Sequence, residues 1–177
     1  MEACSVNKNT TRDLILSAFF VALGVAIPQF FHMVDAGKIF LPMHIPILLC
    51  AFFVDWKYAL AVGAITPILS SFLTGMPPLF PVLCYMLPEL MTYGLVTCLL
   101  RKRFPMFVSL VGGMVAGRLV SGLAVWVLTT FFMVKLPNPF VFLWGALVAG
   151  IPGIIIQLVL IPVIVFSVSK VRSHGTA

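Results

Sequence analysis

Residues 105–133 read PMFVSLVGGMVAGRLVSGLAVWVLTTFFM and contain one charged side chain, Arg118. About 20 apolar residues in a helix are enough to cross the hydrocarbon core of a bilayer, so this run is long enough. Similar runs recur along most of the chain, which is 62% hydrophobic and 9% charged with a mean hydropathy of +1.17. The runs are continuously apolar and do not alternate, which favours helices over a transmembrane barrel. The sequence therefore predicts an all-α membrane protein.

The breaks between the apolar runs predict six transmembrane helices in one bundle. Stretches such as TGMPPLFP and RKRFP combine proline, glycine or charge and are typical of turns. We expect a single integral membrane domain over residues 1–177, with a polar N-terminal tail of about residues 1–12. The second helix is short, and its first residues are expected to be irregular. The six helices are predicted at about 13–31, 41–54, 57–75, 81–100, 105–133 and 141–169.

The distribution of basic residues predicts the orientation. Six crossings place both termini on one side, and Lys and Arg are enriched in the cytoplasmic flanks of membrane helices. With cytoplasmic N- and C-termini, only Lys38 and Lys135 lie outside. The net charge of +6 then reflects bilayer topology and indicates no nucleic-acid partner. The basic residues on the predicted inner side are Lys8, Arg12, Lys57, Arg101, Lys102, Arg103, Lys170 and Arg172.

Two charged residues are expected well inside the membrane. At about 1.5 Å per residue, Arg118 lies roughly 20 Å from the inner surface and Glu89 roughly 12 Å from the outer surface. In a core of about 30 Å these depths nearly coincide. An unpaired arginine at such a depth costs at least about 2.5–3.5 kcal/mol on insertion scales. Glu89 is therefore the predicted partner of Arg118.

Two interpretations of this pair remain open. It is either a structural ion pair that locks two helices or part of a water-accessible pocket that meets a polar ligand. The second is favoured because further polar and aromatic residues share its outward position, although serine and threonine often bond to their own helix and aromatic residues often line the interface. The predicted substrate-binding residues are Arg118, Glu89, His44, Tyr85, Tyr93, Ser71, Thr74, Asn138 and Trp144.

The motifs of several enzyme classes are missing from the sequence. It has no phosphate loop of the form G-x-x-x-x-G-K-[ST], so we expect no ATP hydrolysis by this chain. No G-x-S-x-G, no HExxH and no clustered metal ligands are present, and we predict no catalytic residue and no metal site. A stand-alone transporter or channel remains an alternative function, and an intramembrane enzyme is the less favoured one.

The first predicted helix carries a stripe of small residues. Ala18, Ala22 and Ala26 recur at four-residue spacing, while Gly24 lies off that stripe. Such a stripe allows another helix to approach closely. The partner is either a helix of the same bundle or another protein.

The sequence resembles the substrate-binding S components of energy-coupling factor (ECF) transporters over essentially its full length. The resemblance is sharpest in FLPMHIPILLCAFF, YALAVGAITPILSSFLTGMPPLFP and ELMTYGLVTCLL, together with the alanine stripe. It implies a subunit of the bacterial cell membrane that binds a small vitamin-like ligand from outside, in a pocket capped by the loop HMVDAGKIFLP. It also implies docking of Ala18, Ala22 and Ala26 on a transmembrane T component that works with two cytoplasmic ATPases. The ATP is used by those partners, and no cofactor is expected in this chain.

Overall fold

The protein is described by a computed structural model over residues 8–32, 42–134 and 136–174, and this part of the chain is helical without strands. The prediction of six helices in an all-α fold is confirmed. A π-helical turn, Leu79–Leu83, precedes the fourth helix. The helices are α1 Lys8–His32, α2 His44–Phe53, α3 Trp56–Thr74, α4 Cys84–Leu100, α5 Met106–Phe131 and α6 Pro139–His174.

The helix ends differ from the predicted ones mainly at polar termini. The predicted polar tail reached about residue 12, but α1 already begins at Lys8. At the other end of the chain, α6 continues to His174, five residues beyond its predicted end at 169. Hydropathy marks where a segment leaves the bilayer, and a helix does not have to end at that depth. The hydrogen bonds of a helix persist in water when the flanking residues permit it.

Of the six helices in the described residues, five are long and apolar enough to cross a membrane. The qualifying segments are Thr10–Gln29, Trp56–Thr74, Leu79–Leu100, Met106–Phe131 and Pro139–Val168. The remaining helix, α2, has 10 residues, which corresponds to about 15 Å of rise, half of a hydrocarbon core.

The short helix α2 lies inside the bundle. All residues from His44 to Ala51 are buried, and α2 contacts α1, α3, α4 and α6. A helix that is apolar on every side is expected in such a position. It begins beside the middle of α4, where His44 approaches Glu89, and ends beside the last turn of α4, where Arg101 meets Val54. This helix therefore covers only one half of the bundle's thickness.

A polar layer joins three helices at one end of the bundle, which we call the basic end. The backbone N–H of Asp55 donates to Oδ2 of Asp13 at 3.0 Å, and a guanidinium N–H of Arg101 donates to the Val54 carbonyl at 2.7 Å. Lys102 Nζ lies 3.4 Å from Oδ1 of Asp55. The start of α1, the α2–α3 junction and the end of α4 are thereby held together.

Helices α3 and α4 approach each other closely through two glycines. A Cβ atom on Gly63 would lie 2.6 Å from the Leu90 carbonyl oxygen and 2.8 Å from the Met91 Cα. A Cβ atom on Gly94 would meet the backbone carbonyl of Ala59. Because the obstructing atoms belong to backbone, side-chain rotation cannot relieve the overlap. The two glycines therefore fix the distance between α3 and α4.

Gly94→Ala is expected to destabilise the protein by about 1–3 kcal/mol, because overpacking forces these backbones apart. The measurement is the thermal unfolding midpoint in detergent. Gly145→Ala is the matched control, since nothing lies within 4 Å of a Cβ atom there, and it should leave the midpoint unchanged or slightly raised. Equal midpoints for Gly94→Ala and the wild type would show that the helices tolerate a larger separation.

Candidate functional site

Four predicted site residues meet at one point in the middle of the bundle, and we call them the Glu89 cluster: Glu89, Arg118, Tyr93 and His44. Arg118 Nη1 lies 2.9 Å from Oε1 of Glu89, and the Tyr93 hydroxyl donates to the same oxygen at 2.9 Å. His44 Nε2 lies 3.7 Å from this oxygen. The predicted pairing of Arg118 with Glu89 is therefore present, and one carboxylate oxygen is the centre of the cluster.

The sequence explains how these side chains converge. Glu89 and Tyr93 are four residues apart on α4, so they lie on the same helix face. Arg118 reaches them from α5, and the neighbouring Gly117 makes this possible. A Cβ atom on Gly117 would meet the Tyr93 ring and would lie 3.0 Å from the Glu89 carbonyl oxygen. His44 enters as the first residue of α2, with its ring centroid 5.2 Å from that of Tyr93.

The cluster is shielded from its surroundings to different degrees. His44, Glu89 and Tyr93 are at most 3% exposed, whereas the Arg118 side chain is 17% exposed. Charges in a low-dielectric environment interact strongly and are costly when they lose their partner. The ion pair is thus buried on the Glu89 side and accessible on the Arg118 side.

His44 has unused hydrogen-bonding capacity. Neither of its ring nitrogens has a hydrogen-bond partner among the described residues, although both are buried, and 3.7 Å to Glu89 is too long for a hydrogen bond. A neutral imidazole carries one donor and one acceptor. Leaving such groups unpaired costs about 1–3 kcal/mol each, so a polar group that approached His44 would find both a donor and an acceptor.

A cavity of about 320 Å³ adjoins Arg118 between α5 and α6. Apart from Arg118, its polar lining residues are Tyr93 and Gln157, and its remaining walls are aliphatic or methionine side chains. A largely apolar cavity with a few convergent polar groups is the usual form of a small-molecule site. Arg118 and Tyr93 belong to both the Glu89 cluster and the cavity lining, so the two features form one candidate site.

Two predicted site residues at the end of α3 bind the following loop. The Ser71 hydroxyl donates to the Pro77 carbonyl at 2.6 Å. The Thr74 hydroxyl contacts the Ser70 carbonyl of its own helix at 2.7 Å and the Met76 carbonyl of the loop at 3.2 Å, and the Ser70 hydroxyl donates to the Met76 carbonyl at 2.7 Å. The helix ends at Gly75 with φ 72°, a left-handed conformation that glycine adopts without strain. These hydroxyls hold the α3–α4 loop and are not part of the Glu89 cluster.

The three remaining predicted residues also lie outside the cluster. The Tyr85 ring packs edge-on against Phe142, with ring centroids 5.0 Å apart. The Asn138 side-chain oxygen accepts the backbone N–H of Phe140 at 3.1 Å and so caps the start of α6. Trp144 is 64% exposed. A ligand contact by any of these residues, or by Ser71 and Thr74, stays a prediction.

Gln157 is the one polar residue of the cavity that was not among the predicted site residues. It lies within the apolar run GIIIQLVLIP of α6 and is 2% exposed. In the part of the chain that the structure describes, its side-chain nitrogen has no hydrogen-bond partner. An isolated amide in a membrane helix is itself a signal. The sequence alone did not reveal that the face of α6 which carries Gln157 lines the same cavity as Arg118.

The alanine stripe of α1 faces outward. Ala18, Ala22 and Ala26 are exposed, whereas Gly24 is buried, and a Cβ atom on Gly24 would collide with the Thr66 side chain. Close packing of α1 within the bundle therefore uses the Gly24 side. The alanines are left on a surface that no described helix of this chain covers.

Comparison with known protein families identifies the chain. The model of the family described as "ECF transporter, substrate-specific component" matches residues 12–165. The chain belongs to this family. None of the curated proteins and none of the solved structures matches it.

Family membership and fold together establish the general role. The chain is a substrate-specific subunit of an ECF transporter, a class of transport protein and not of enzymes. The family implies a small-molecule substrate and association with a T component and ATPases. Five helices of membrane-spanning length agree with a membrane protein.

The ion pair should dominate the stability effects of mutations at the site. Glu89→Ala leaves the half-buried Arg118 without its partner, and breaking a fully buried pair in this way typically costs about 3–5 kcal/mol. The double variant Glu89→Ala/Arg118→Ala removes both charges and should unfold at a higher temperature than Glu89→Ala alone. The measurement is a double-mutant cycle of thermal midpoints in detergent. Additive effects of the two single substitutions would mean that the charges do not depend on each other.

Proposed function

We propose that this protein is the high-affinity binding subunit of an ATP-driven ECF importer for a small water-soluble vitamin or a related micronutrient. It binds the substrate from outside the cell and delivers it to a complex with a T component and two cytoplasmic ATPases. The subunit resides in a bacterial plasma membrane with both termini in the cytoplasm. The substrate is recognised at the Glu89 cluster and the adjoining cavity.

The observation that carries the proposal is the shared position of Arg118. Its guanidinium pairs with Glu89 and also lines the apolar cavity between α5 and α6. A purely structural ion pair gains nothing from partial exposure to a cavity. A binding residue needs such exposure, because the ligand must reach the guanidinium N–H donors that do not contact Glu89.

The proposed orientation follows from the basic end of the bundle. Arg101 and Lys102 belong to the polar layer there. Lys57 lies in the first turn of α3, and Arg103 lies in the turn between α4 and α5. Basic residues accumulate on the cytoplasmic side of membrane proteins. The opposite end, with the α3–α4 loop, then faces outward, and substrate enters from that side.

The exposed alanines of α1 support the docking proposal. Small side chains at i, i+4 and i+8 leave a flat surface on which a second helix can lie in close contact. Ala18, Ala22 and Ala26 present such a surface on the outside of the bundle. We assign this face to the T component.

Substrate binding should be detectable on the purified protein. Native mass spectrometry, followed by extraction, is expected to identify a retained small molecule of the vitamin class. Arg118→Ala should then weaken binding of that molecule at least tenfold, because the ligand loses charge-assisted hydrogen bonds. Affinity is measured by isothermal titration on protein that elutes as a folded species.

Two variants control this measurement. Arg103→Ala removes an exposed arginine away from the cluster and should bind like the wild type. Arg118→Lys keeps the charge but loses the planar array of donors, so we expect an intermediate affinity. Unchanged affinity in folded Arg118→Ala would restrict Arg118 to its role as the partner of Glu89.

Ala22→Trp should abolish uptake in cells that contain the T component and ATPases, because an indole on the flat face prevents close helix contact. Substrate binding by the purified variant should remain intact. Ala149→Trp places the same side chain on an exposed position of α6 and should transport normally. A joint loss of binding and uptake in Ala22→Trp would instead assign the stripe to packing within this chain.

A further inference from the structure

The formal charges of Arg118 and Glu89 cancel each other at the candidate site. Within the described residues, Arg118 and Glu89 are the charged side chains of the central part of the helices, and they pair with each other at 2.9 Å. His44 is the titratable neighbour from α2, and Tyr93 is the neighbour from α4. The other charged residues lie near helix termini or in the connections at the basic end: Lys8, Arg12, Asp13, Asp55, Lys57, Arg101, Lys102, Arg103, Lys170 and Arg172.

An anionic ligand would add a negative charge that no residue of the pair neutralises. If a carboxylate or phosphate joined the intact pair, the site would hold an excess negative charge in a region of low dielectric, which is unfavourable. If it displaced Glu89 from Arg118, the Glu89 carboxylate would remain buried at 3% exposure without its cationic partner. Both outcomes are unfavourable.

The site nevertheless offers hydrogen-bond donors. A guanidinium has five N–H donors, and the contact with Glu89 is made through Nη1. Arg118 also lines the cavity. Gln157 contributes an amide to the same lining, and an amide can donate without carrying a charge. These groups suit an acceptor that brings no charge of its own.

The remaining walls of the cavity restrict the rest of the ligand. The wall residues other than Arg118, Tyr93 and Gln157 are apolar, including Val111, Met114 and Leu158. The volume of about 320 Å³ is at the lower limit of typical ligand pockets, which hold about 300–1,000 Å³. The part of the ligand that lies against these walls is therefore mostly apolar.

We propose that the substrate is uncharged at the end that meets Arg118 and carries there a carbonyl-type acceptor, such as an amide, a lactam or a ring carbonyl. A carboxylate- or phosphate-bearing substrate is disfavoured by the charge already supplied by Glu89. This inference rests on the proposed function of the site and names the chemical class of its ligand.

The test compares matched probes that differ in charge at one group. The protein is titrated at pH 8, where an ordinary imidazole is neutral, with four pairs of compounds. The pairs are nicotinamide with nicotinate, biotinamide with biotin, pantothenol with pantothenate, and riboflavin with riboflavin 5′-phosphate. In every pair that binds, the uncharged member should bind at least tenfold more tightly. The small molecule retained through purification is judged by the same criterion, and it should lack an anionic group at pH 8.

The variant Glu89→Gln makes the test specific to this site. It removes the negative charge and leaves Arg118 as an unbalanced cation, so the preference should shift at least tenfold toward the anionic member of the pair. Asp55→Asn is the matched control, because it makes the same carboxylate-to-amide change at the basic end. It should leave the preference unchanged.

The possible results separate this inference from the proposed function. Tighter binding of an anionic probe by the wild type, or a retained anionic micronutrient, overturns the inference and leaves the proposed function intact. A retained phospholipid without any small molecule would assign the cavity to a lipid and overturn both. Absence of binding for all probes together with an empty purified protein would likewise contradict both.

Discussion

A guanidinium in the middle of a membrane helix needs a partner, and the centre of this protein is organised around that requirement. Arg118 and Glu89 come from adjacent helices at the same depth and meet at 2.9 Å. Their approach depends on Gly117, because any larger residue would collide with the Tyr93 ring. Tyr93 then donates to the same carboxylate oxygen. Helix spacing, the choice of glycine and the polar contacts of α4 and α5 thus follow from one electrostatic constraint.

The half-length helix α2 is the second unusual feature, and its first residue lies beside the same ion pair. A full crossing would carry its first turn to the surface, but α2 begins inside the bundle with His44 beside Glu89. Its 10 residues are apolar after that position, so they can be buried on all sides. The basic end closes over the other terminus of α2, where Arg101 binds the Val54 carbonyl. The His44 ring is thereby placed inside the bundle by a helix that has no polar face of its own.

The sequence was sufficient to predict the pairs that depend on helix geometry alone. The rise per residue gives the depth of each residue in its membrane helix, so the contact of Arg118 with Glu89 could be predicted. The four-residue spacing of Glu89 and Tyr93 likewise predicted that both lie on one face of their helix. The orientation of side chains about a helix axis was less accessible, and Gln157 was missed for that reason. Ser71 and Thr74 were predicted at the site from depth, but their hydroxyls bind the α3–α4 loop. Such hydrogen bonds depend on the path of a loop, which neither periodicity nor composition determines.

The arrangement of helices separates the candidate site from the candidate docking face. The cavity lies between α5 and α6, whereas the alanine stripe belongs to α1, which packs on α2 and α3. Helix α2 contacts both α1 and α6 and also carries His44. The first residue of α2 thus lies beside the ion pair whose arginine lines the cavity. Helix α2 therefore lies between the cavity side and the docking side of the bundle, while Gly63 and Gly94 fix the close approach of α3 and α4 beside it.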